Sequence, residues 1–467
     1  MQCNLRARAL CTSRPQRLLY IVLLSDMPQF FAGSIINEAR IWIRMSTSSL
    51  PQLSADAKSE ISAHFLIVIT SMLGCAVGII GLSFYSLPFL SGPLATFFGR
   101  PATSVTLAAS FFVFGLIAAA PIAGRLCDRV GAHRVITVSV LLEAVDFVAL
   151  SQIRGSIWTL YCGYFMLGVV GAGTTYAIYG RVIVSCFNRS RGLALGIMMS
   201  GPGIAAALLP VILPPVIKVW GWRSGYLLLA AMALSVLPLV LVALRQWRSD
   251  AAVATSTSTD GLTLREAART RQFWAMAIGV LFIMSAIIGT HINLVAILTA
   301  RGKKMDFIRV VASTYGFSTI LGRLVSGYLL DRVRAPLLAA IIFTATSLAF
   351  VLIILGPGWS IFVAITLLGL SSGAEGDICG YLVSRFFGMR SYAEIFGWIF
   401  SSLSLGLAAG AAVASLLISL SGGSYDLWLC AAAILCVAAA LLFGTLGRYP
   451  HRSVSARQQL LPFYMQE

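Results

Sequence analysis

Long apolar runs, each closed by a short charged turn, follow one another from about residue 64 almost to the end of the chain. A helix needs about twenty apolar residues to cross the hydrocarbon core of a bilayer. Twelve stretches read as such spans: 64–90, 104–125, 134–151, 157–185, 193–217 and 224–245, then 273–300, 308–330, 336–354, 360–386, 394–419 and 426–446. A polar link separates the two sets of six. It contains the Ser/Thr-rich run 255–260 and an amphipathic stretch, 264–271. The expected fold is all-α: a membrane protein of twelve transmembrane helices.

The two sets carry the same punctuation. Gly124-x-x-x-Asp128-Arg129-Val130 follows the second span, and Gly327-x-x-x-Asp331-Arg332-Val333 follows the eighth. The first copy continues through Gly131 to Arg134. A repeated membrane unit with a charged turn at the same place is the sequence mark of secondary transporters. The chain therefore divides into a lead, 1–60; a first six-helix bundle, 61–246; a link, 247–272; a pseudo-symmetric second bundle, 273–447; and a tail, 448–467. Residues 1–44 hold one short apolar stretch that stops at Asp26 and Pro28, and translation starting at Met45 is the preferred reading.

Composition supports a lipid environment. The chain is 58% hydrophobic and 11% charged, where soluble domains carry about a quarter charged residues. Mean hydropathy is +0.88. The net charge of +17 comes from arginines and lysines scattered singly through short loops, with no basic stripe interleaved with aromatics, so nucleic acid is not an expected partner. Arginines crowd the segments that share a side with Arg129 and Arg332, which places both termini in the cytoplasm by the positive-inside rule. The loop holding Arg301, Lys303, Lys304 and Arg309 departs from that rule. The cysteines show no Cys-x-x-Cys spacing and read as small buried hydrophobes; no metal site and no cofactor are expected. No nucleophile elbow, metal box or phosphate loop argues for an enzyme.

Two bundles of six with Asp-Arg turns after the second and eighth spans resemble the major facilitator superfamily, over about residues 60–447. Pro121, Gly124, Leu126, Asp128, Arg129, Gly131 and Arg134 match that family's signature loop. The resemblance implies a latch: the glycines allow close helix approach, Asp128 meets a helix N-terminus where negative charge is favoured, and Arg129 and Arg134 pair with carboxylates across the bundle interface. Gly327, Asp331 and Arg332 form the second copy. The run from Phe187 through Arg191 and Gly196 to Gly201-Pro202-Gly203 looks like the helix 4–5 region of monocarboxylate transporters and oxalate–formate antiporters. Physically, Gly201-Pro202-Gly203 removes a backbone donor and side-chain bulk and so permits a hinge. Tyr164 stands where proton–drug antiporters carry an arginine.

Ionisable groups inside a span cost about 2.5 kcal/mol or more and are functional candidates by default. Arg323 lies in the eighth span, two turns before Asp331, at a spacing that resembles the carboxylate-binding arginine of the monocarboxylate branch. A guanidinium holds a carboxylate bidentately and stays charged. Glu375 and Asp377 lie on different faces of the tenth span, one to pair with Arg323 in the absence of substrate, one to take a proton. Glu143 and Asp146 share a face of the third span, as cavity acids for a proton or as partners of Arg154 or Arg181. His291 and Asn293 in the seventh span, with Tyr85 and Phe89 in the first, are further substrate-contact candidates. The branch often has a lysine at the position of Phe89 and an aspartate at that of Thr319, and oxalate carriers add a lysine in the eleventh span; none is present here. A larger, partly apolar monoanion suits the site better than oxalate.

The expected function is uptake of a small organic anion with protons, across a bacterial-type inner membrane, by a carrier that works as a monomer in the lipid bilayer. An exporter of hydrophobic compounds and a transport-inactive sensor are the rival readings.

Overall fold

The computed structural model describes residues 60–243, 261–356 and 359–450. The expected start at Met45, the Ser/Thr-rich link and most of the tail lie outside the described residues. Those described are helical apart from turns and one isolated bridge, Gly261 with Gly388.

Helix α1 (Phe65–Phe98) and α2 (Ser104–Val130) are followed by α3 (Ala132–Ser151) and α4 (Ile157–Cys186). Within the span Arg191–Ala243 the chain turns at Gly221, whose φ is +82°, so it forms two helices, α5 (191–220) and α6 (222–243). The second half repeats the plan: α7 (Arg271–Ala300), α8 (Met305–Leu330), α9 (Ala335–Leu355), α10 (Ser360–Phe386), α11 (Tyr392–Leu420) and α12 (Asp426–Gly444). Among the described residues nine helical segments are apolar and long enough to cross a membrane. Counting α5 and α6 separately and adding α3 and α8 is consistent with twelve crossings. The sequences of α3 and α8 carry Glu143, Asp146, Thr314, Thr319 and Arg323, which dilute the apolar run.

Large apolar side chains point outward as freely as inward. Val211, Phe317 and Leu355 are 70%, 70% and 79% exposed. Scattered exposure on this scale along every helix suits a hydrocarbon surround, where backbone bonds are satisfied inside each helix.

Three helices depart from regular α geometry. In α1 the chain bends at 77–78 and passes through a π turn, Ile80–Phe84, before Tyr85. In α4 the helix tightens to a 3₁₀ turn, Gly171–Thr174. In α5 it breaks at Ser200, ahead of Gly201-Pro202-Gly203. The halves join chiefly through α2 against α11 and α5 against α8.

Candidate substrate site and gate

Both Asp-Arg turns sit where one half meets the other, and each aspartate caps a helix of the opposite half. Asp128 Oδ2 accepts the Glu394 N–H at 2.8 Å, and Oδ1 accepts the Ala393 N–H at 3.3 Å, at the N-terminus of α11. Asp331 accepts the Gly192 N–H at 2.7 Å and the Leu193 N–H at 3.0 Å, at the N-terminus of α5. These amides have no partner inside their own helices, and anions are favoured there. Gly124 is required by contact: a Cβ would overlap the Ala393 carbonyl. Gly131, with φ +97°, turns the chain into α3.

The arginines that pair across this junction are not the expected ones. Arg181 binds Asp128 and donates to the Met389 carbonyl at 2.9 Å, while Arg125 Nε meets Glu394 Oε1 at 2.6 Å. Arg129 lies exposed at the end of α2 and, among the described residues, makes no ion pair, nor does Arg134 at the start of α3. Arg332 stacks over Tyr328 of its own helix, 3.5 Å from the ring centre. Because Arg181 is spent on Asp128, it is unavailable to Glu143 and Asp146.

Each half also grips its own fourth-to-fifth loop from the segment before its first helix. Glu60 accepts the Asn188 N–H at 2.8 Å, the Ser190 N–H at 2.9 Å and the Ser190 hydroxyl at 2.6 Å. Burial raises the Glu60 carboxyl, but these bonds outweigh it and hold the group below the usual carboxylate range. In the second half the Leu262 N–H donates to the Phe387 carbonyl at 2.8 Å. Burial pushes Asp331 up to about 6, against the pull of the Leu193 and Gly192 amides and of Arg385 and Arg191.

Arg323 stands on α8 above this gate. Its Nη1 donates to the Met199 carbonyl on α5. That carbonyl is available because of the hinge: Pro202 has no N–H, and the Gly203 N–H turns to Ser200 O at 3.0 Å. The guanidinium lies 6.0 Å from the centre of the Tyr176 ring. Tyr85, Glu375 and Asp377 all act on its charge. Neither acid forms an ion pair with it, contrary to the expected resting pair. Asp377 Oδ2 instead accepts the Ser326 hydroxyl at 3.3 Å, leaving Asp377 Oδ1 and Glu375 Oε2 buried without partners.

The other candidates divide. His291 stacks on Tyr315 with ring centres 4.4 Å apart and planes at 24°, and Tyr315 feels both Glu375 and Arg323. Asn293 spends its amide on the Gly289 carbonyl at 2.8 Å, within its own helix. Phe89 packs against the core of the first half, while Tyr85, just past the π turn, stays beside Arg323. On α3, Glu143 meets Thr174 rather than an arginine. Tyr164 pairs with Tyr226, hydroxyl to hydroxyl, at 3.2 Å. Sequence reasoning missed Tyr176, Tyr315 and the Met199 carbonyl; an isolated tyrosine in an apolar run and a backbone oxygen carry no pattern of their own. The Arg301 departure from the charge rule has a structural partner: Arg301 bridges to Asp426 at 2.6 Å and to the Ile354 carbonyl at 3.1 Å, tying α7 to α12 and α9. No group of His, Cys, Asp and Glu able to hold a metal occurs among the described residues.

Comparison with known proteins adds family and fold. The family model for the Major Facilitator Superfamily matches residues 72–374. Human "Monocarboxylate transporter 11" is 26% identical over 347 residues, covering 71% of this chain and 73% of that protein. The Escherichia coli "Uncharacterized MFS-type transporter YhjX" is 24% identical over 334 residues, 69% of this chain and 81% of the other. Among solved structures, the E. coli fucose:proton symporter FucP aligns with a TM-score of 0.63 at 13% identity, over 84% of this chain and 100% of that one. The human organic anion transporter MFSD10 aligns with a TM-score of 0.63 at 14% identity, over 81% and 98%. At such identities the structural matches speak for the fold alone.

Proposed function

Because the chain belongs to the Major Facilitator Superfamily of membrane transporters, we propose that it is a secondary carrier of a small, partly apolar organic monoanion, with Arg323 as the anion's anchor. One observation carries this reading. Arg323 is a membrane-embedded guanidinium at the junction of the halves, held by a neutral carbonyl and by tyrosines, with no ion-pair partner among the described residues. A permanent charge so placed is costly unless something anionic visits it. Tyr85, Tyr176 and the His291–Tyr315 stack supply an aromatic wall suited to an apolar body. The similarity to a human monocarboxylate transporter agrees with a carboxylate.

The halves meet at the end carrying Asp128 and Asp331; we take that end as cytoplasmic and read this arrangement as the one closed to the cytoplasm. A carboxylate arriving from outside competes with the Met199 carbonyl for the guanidinium. Taking Arg323 from α5 weakens the α5–α8 closure, and alternating access follows. Glu375 or Asp377, each with a buried unpartnered oxygen, takes up a proton with the anion and limits the net charge moved. The working unit is a monomer in an inner membrane with cytoplasmic termini.

The test is uptake of labelled aliphatic and aromatic monocarboxylates into proteoliposomes under an inward proton gradient, with Arg323→Gln alongside. Gradient-dependent uptake lost in the variant is expected. Uptake indifferent to Arg323, or none in a preparation that moves hydrophobic compounds outward, would replace this reading with the exporter.

A further inference from the structure

Two acids on α3 have no part in the anion site proposed above. Glu143 is fully buried, and its Oε1 has no partner. Asp146, one turn on, has a buried Oδ2 without a partner. On α4 the fully buried Tyr179 hydroxyl, which feels the Glu143 charge, is likewise unpartnered. The titratable neighbours are Tyr179 on α4 with Cys75 of α1 beyond it, and, around Asp146, Tyr164 on α4 and Tyr226 on α6. No arginine, lysine or histidine acts on either acid among the described residues. The α10 acids have Arg323; the α3 acids have no such cation among the described residues.

Hydrogen-bond accounting around Thr174 sharpens the contrast. Its Oγ1 lies 3.0 Å from the Ile79 N, 2.9 Å from the Gly171 O and 3.1 Å from Glu143 Oε2. A threonine hydroxyl has one proton to give and two lone pairs. The Ile79 N–H can only donate and the Gly171 carbonyl can only accept. With Glu143 protonated, all three contacts are made together: Thr174 donates to Gly171 and accepts from Ile79 and from the Glu143 hydroxyl. With Glu143 ionised, Thr174 must turn its proton to the carboxylate, and the Gly171 carbonyl loses that bond. Ile79 adjoins the break in α1, and Gly171 opens the 3₁₀ turn of α4.

We propose that Glu143 is a proton-binding site separate from Arg323 and the α10 acids, and that its protonation holds the breaks of α1 and α4 in the conformation seen. Loss of the proton redirects Thr174 and loosens the junction of the two broken helices. A proton fits better than a metal cation. The node offers the two Glu143 carboxyl oxygens, the Gly171 carbonyl and one hydroxyl already engaged with an N–H, whereas a hard cation takes about six oxygens. The site does not depend on which solute Arg323 holds.

Infrared difference spectroscopy of the full-length protein in nanodiscs, without substrate, reads this directly. The carbonyl stretch of a protonated carboxyl at neutral pH is expected in the unaltered protein. Glu143→Gln should remove an area equal to one carboxyl, and Arg323→Gln should retain that component even if anion transport is lost. Thr174→Val, which keeps every carboxyl, should shift the Glu143 component by removing its hydrogen-bond acceptor. A spectrum unchanged by Glu143→Gln, a Glu143 component indifferent to Thr174→Val, or a band abolished by sodium at constant pH would overturn the proposal.

Discussion

Replacing Asp128 by alanine should open the gate. In the closed form this carboxylate accepts the Glu394 amide at 2.8 Å and, more weakly, the Ala393 amide at 3.3 Å, and pairs with Arg181. A hydrogen bond involving a charged group is worth about 1.5–3 kcal/mol net. Counting the short amide bond near the middle of that range, the long one as a fraction, and little for Arg181, which keeps the Met389 carbonyl, gives ~3 kcal/mol. In the open form Asp128 and the α11 amides face water, so nearly all of this bears on the gate equilibrium. At about 1.4 kcal/mol per decade, the ratio of closed to open should fall by on the order of a hundredfold. Spin labels at the exposed Val130 and Arg334, with the exposed Cys162 and Cys430 and the half-buried Cys186 replaced by serine, report the gate from both halves. Double electron–electron resonance should show the short distance dominant in the parent and a longer one dominant in Asp128→Ala. A population change below threefold would refute the cap as a latch, and so would a full change in Asp128→Asn matched by none in Asp331→Ala.

Two further outcomes follow from the same contacts. Pro202→Ala lets the helix run on through the hinge, so that the Gly203 N–H, now turned to Ser200 O, can reach the Met199 carbonyl in the ordinary i→i−4 register and Arg323 no longer serves it. The apparent affinity for a transported anion should then tighten by about tenfold, the worth of one charge-assisted bond, measured as KM with kcat followed separately; an unchanged or weaker affinity would sever the hinge from the site. Asp331 is raised to about 6 in the closed gate and returns to the ordinary carboxylate range when the gate opens to water. The closed form therefore binds the proton more tightly, and its extra stability is present at low pH and lost as pH rises through 6. Lowering pH from 7 to 5 should increase the short-distance population, and Asp331→Asn should reduce that dependence, leaving the share carried by the equivalent cap, Asp128.

Much of the gate was legible because it rests on residue types that local physics restricts. Only glycine allows α2 to touch the backbone of α11 at Gly124, and an acid is favoured at the orphan amides that start α11 and α5. The partners were not legible. Arg181 comes from α4 and Glu394 from α11, and which arginine reaches Asp128 depends on how four helices are rotated. The same holds for the anion site. Arg323, Glu375 and Asp377 stand out by charge in apolar runs, yet their separation depends on Ser326 and Met199 claiming them first. The broken helices α1 and α4 read as plain spans, since Val77-Gly78 and Gly171–Thr174 are small residues common in membrane helices.

The hinge joins these two levels. A Gly-Pro-Gly step alone predicts a bend, and a lone arginine alone predicts an anion. Together they place an unclaimed carbonyl one helix away from an unclaimed guanidinium, at the junction that α5 and α8 close. The cost of burying Arg323 is offset in the empty carrier by a bond that also holds the gate. On the proposed reading, an anion that offers two oxygens outbids a single carbonyl, so that binding and release of the closure become one event. A neutral solute of the same shape has no claim on the guanidinium and leaves the Met199 bond intact. Discrimination by charge then appears in the rate of gate opening as well as in affinity. Comparing a carboxylate with its amide in the Val130–Arg334 distance measurement separates the two: the acid should populate the open gate, and an amide that opens it equally would show that Arg323 anchors the substrate without controlling the gate.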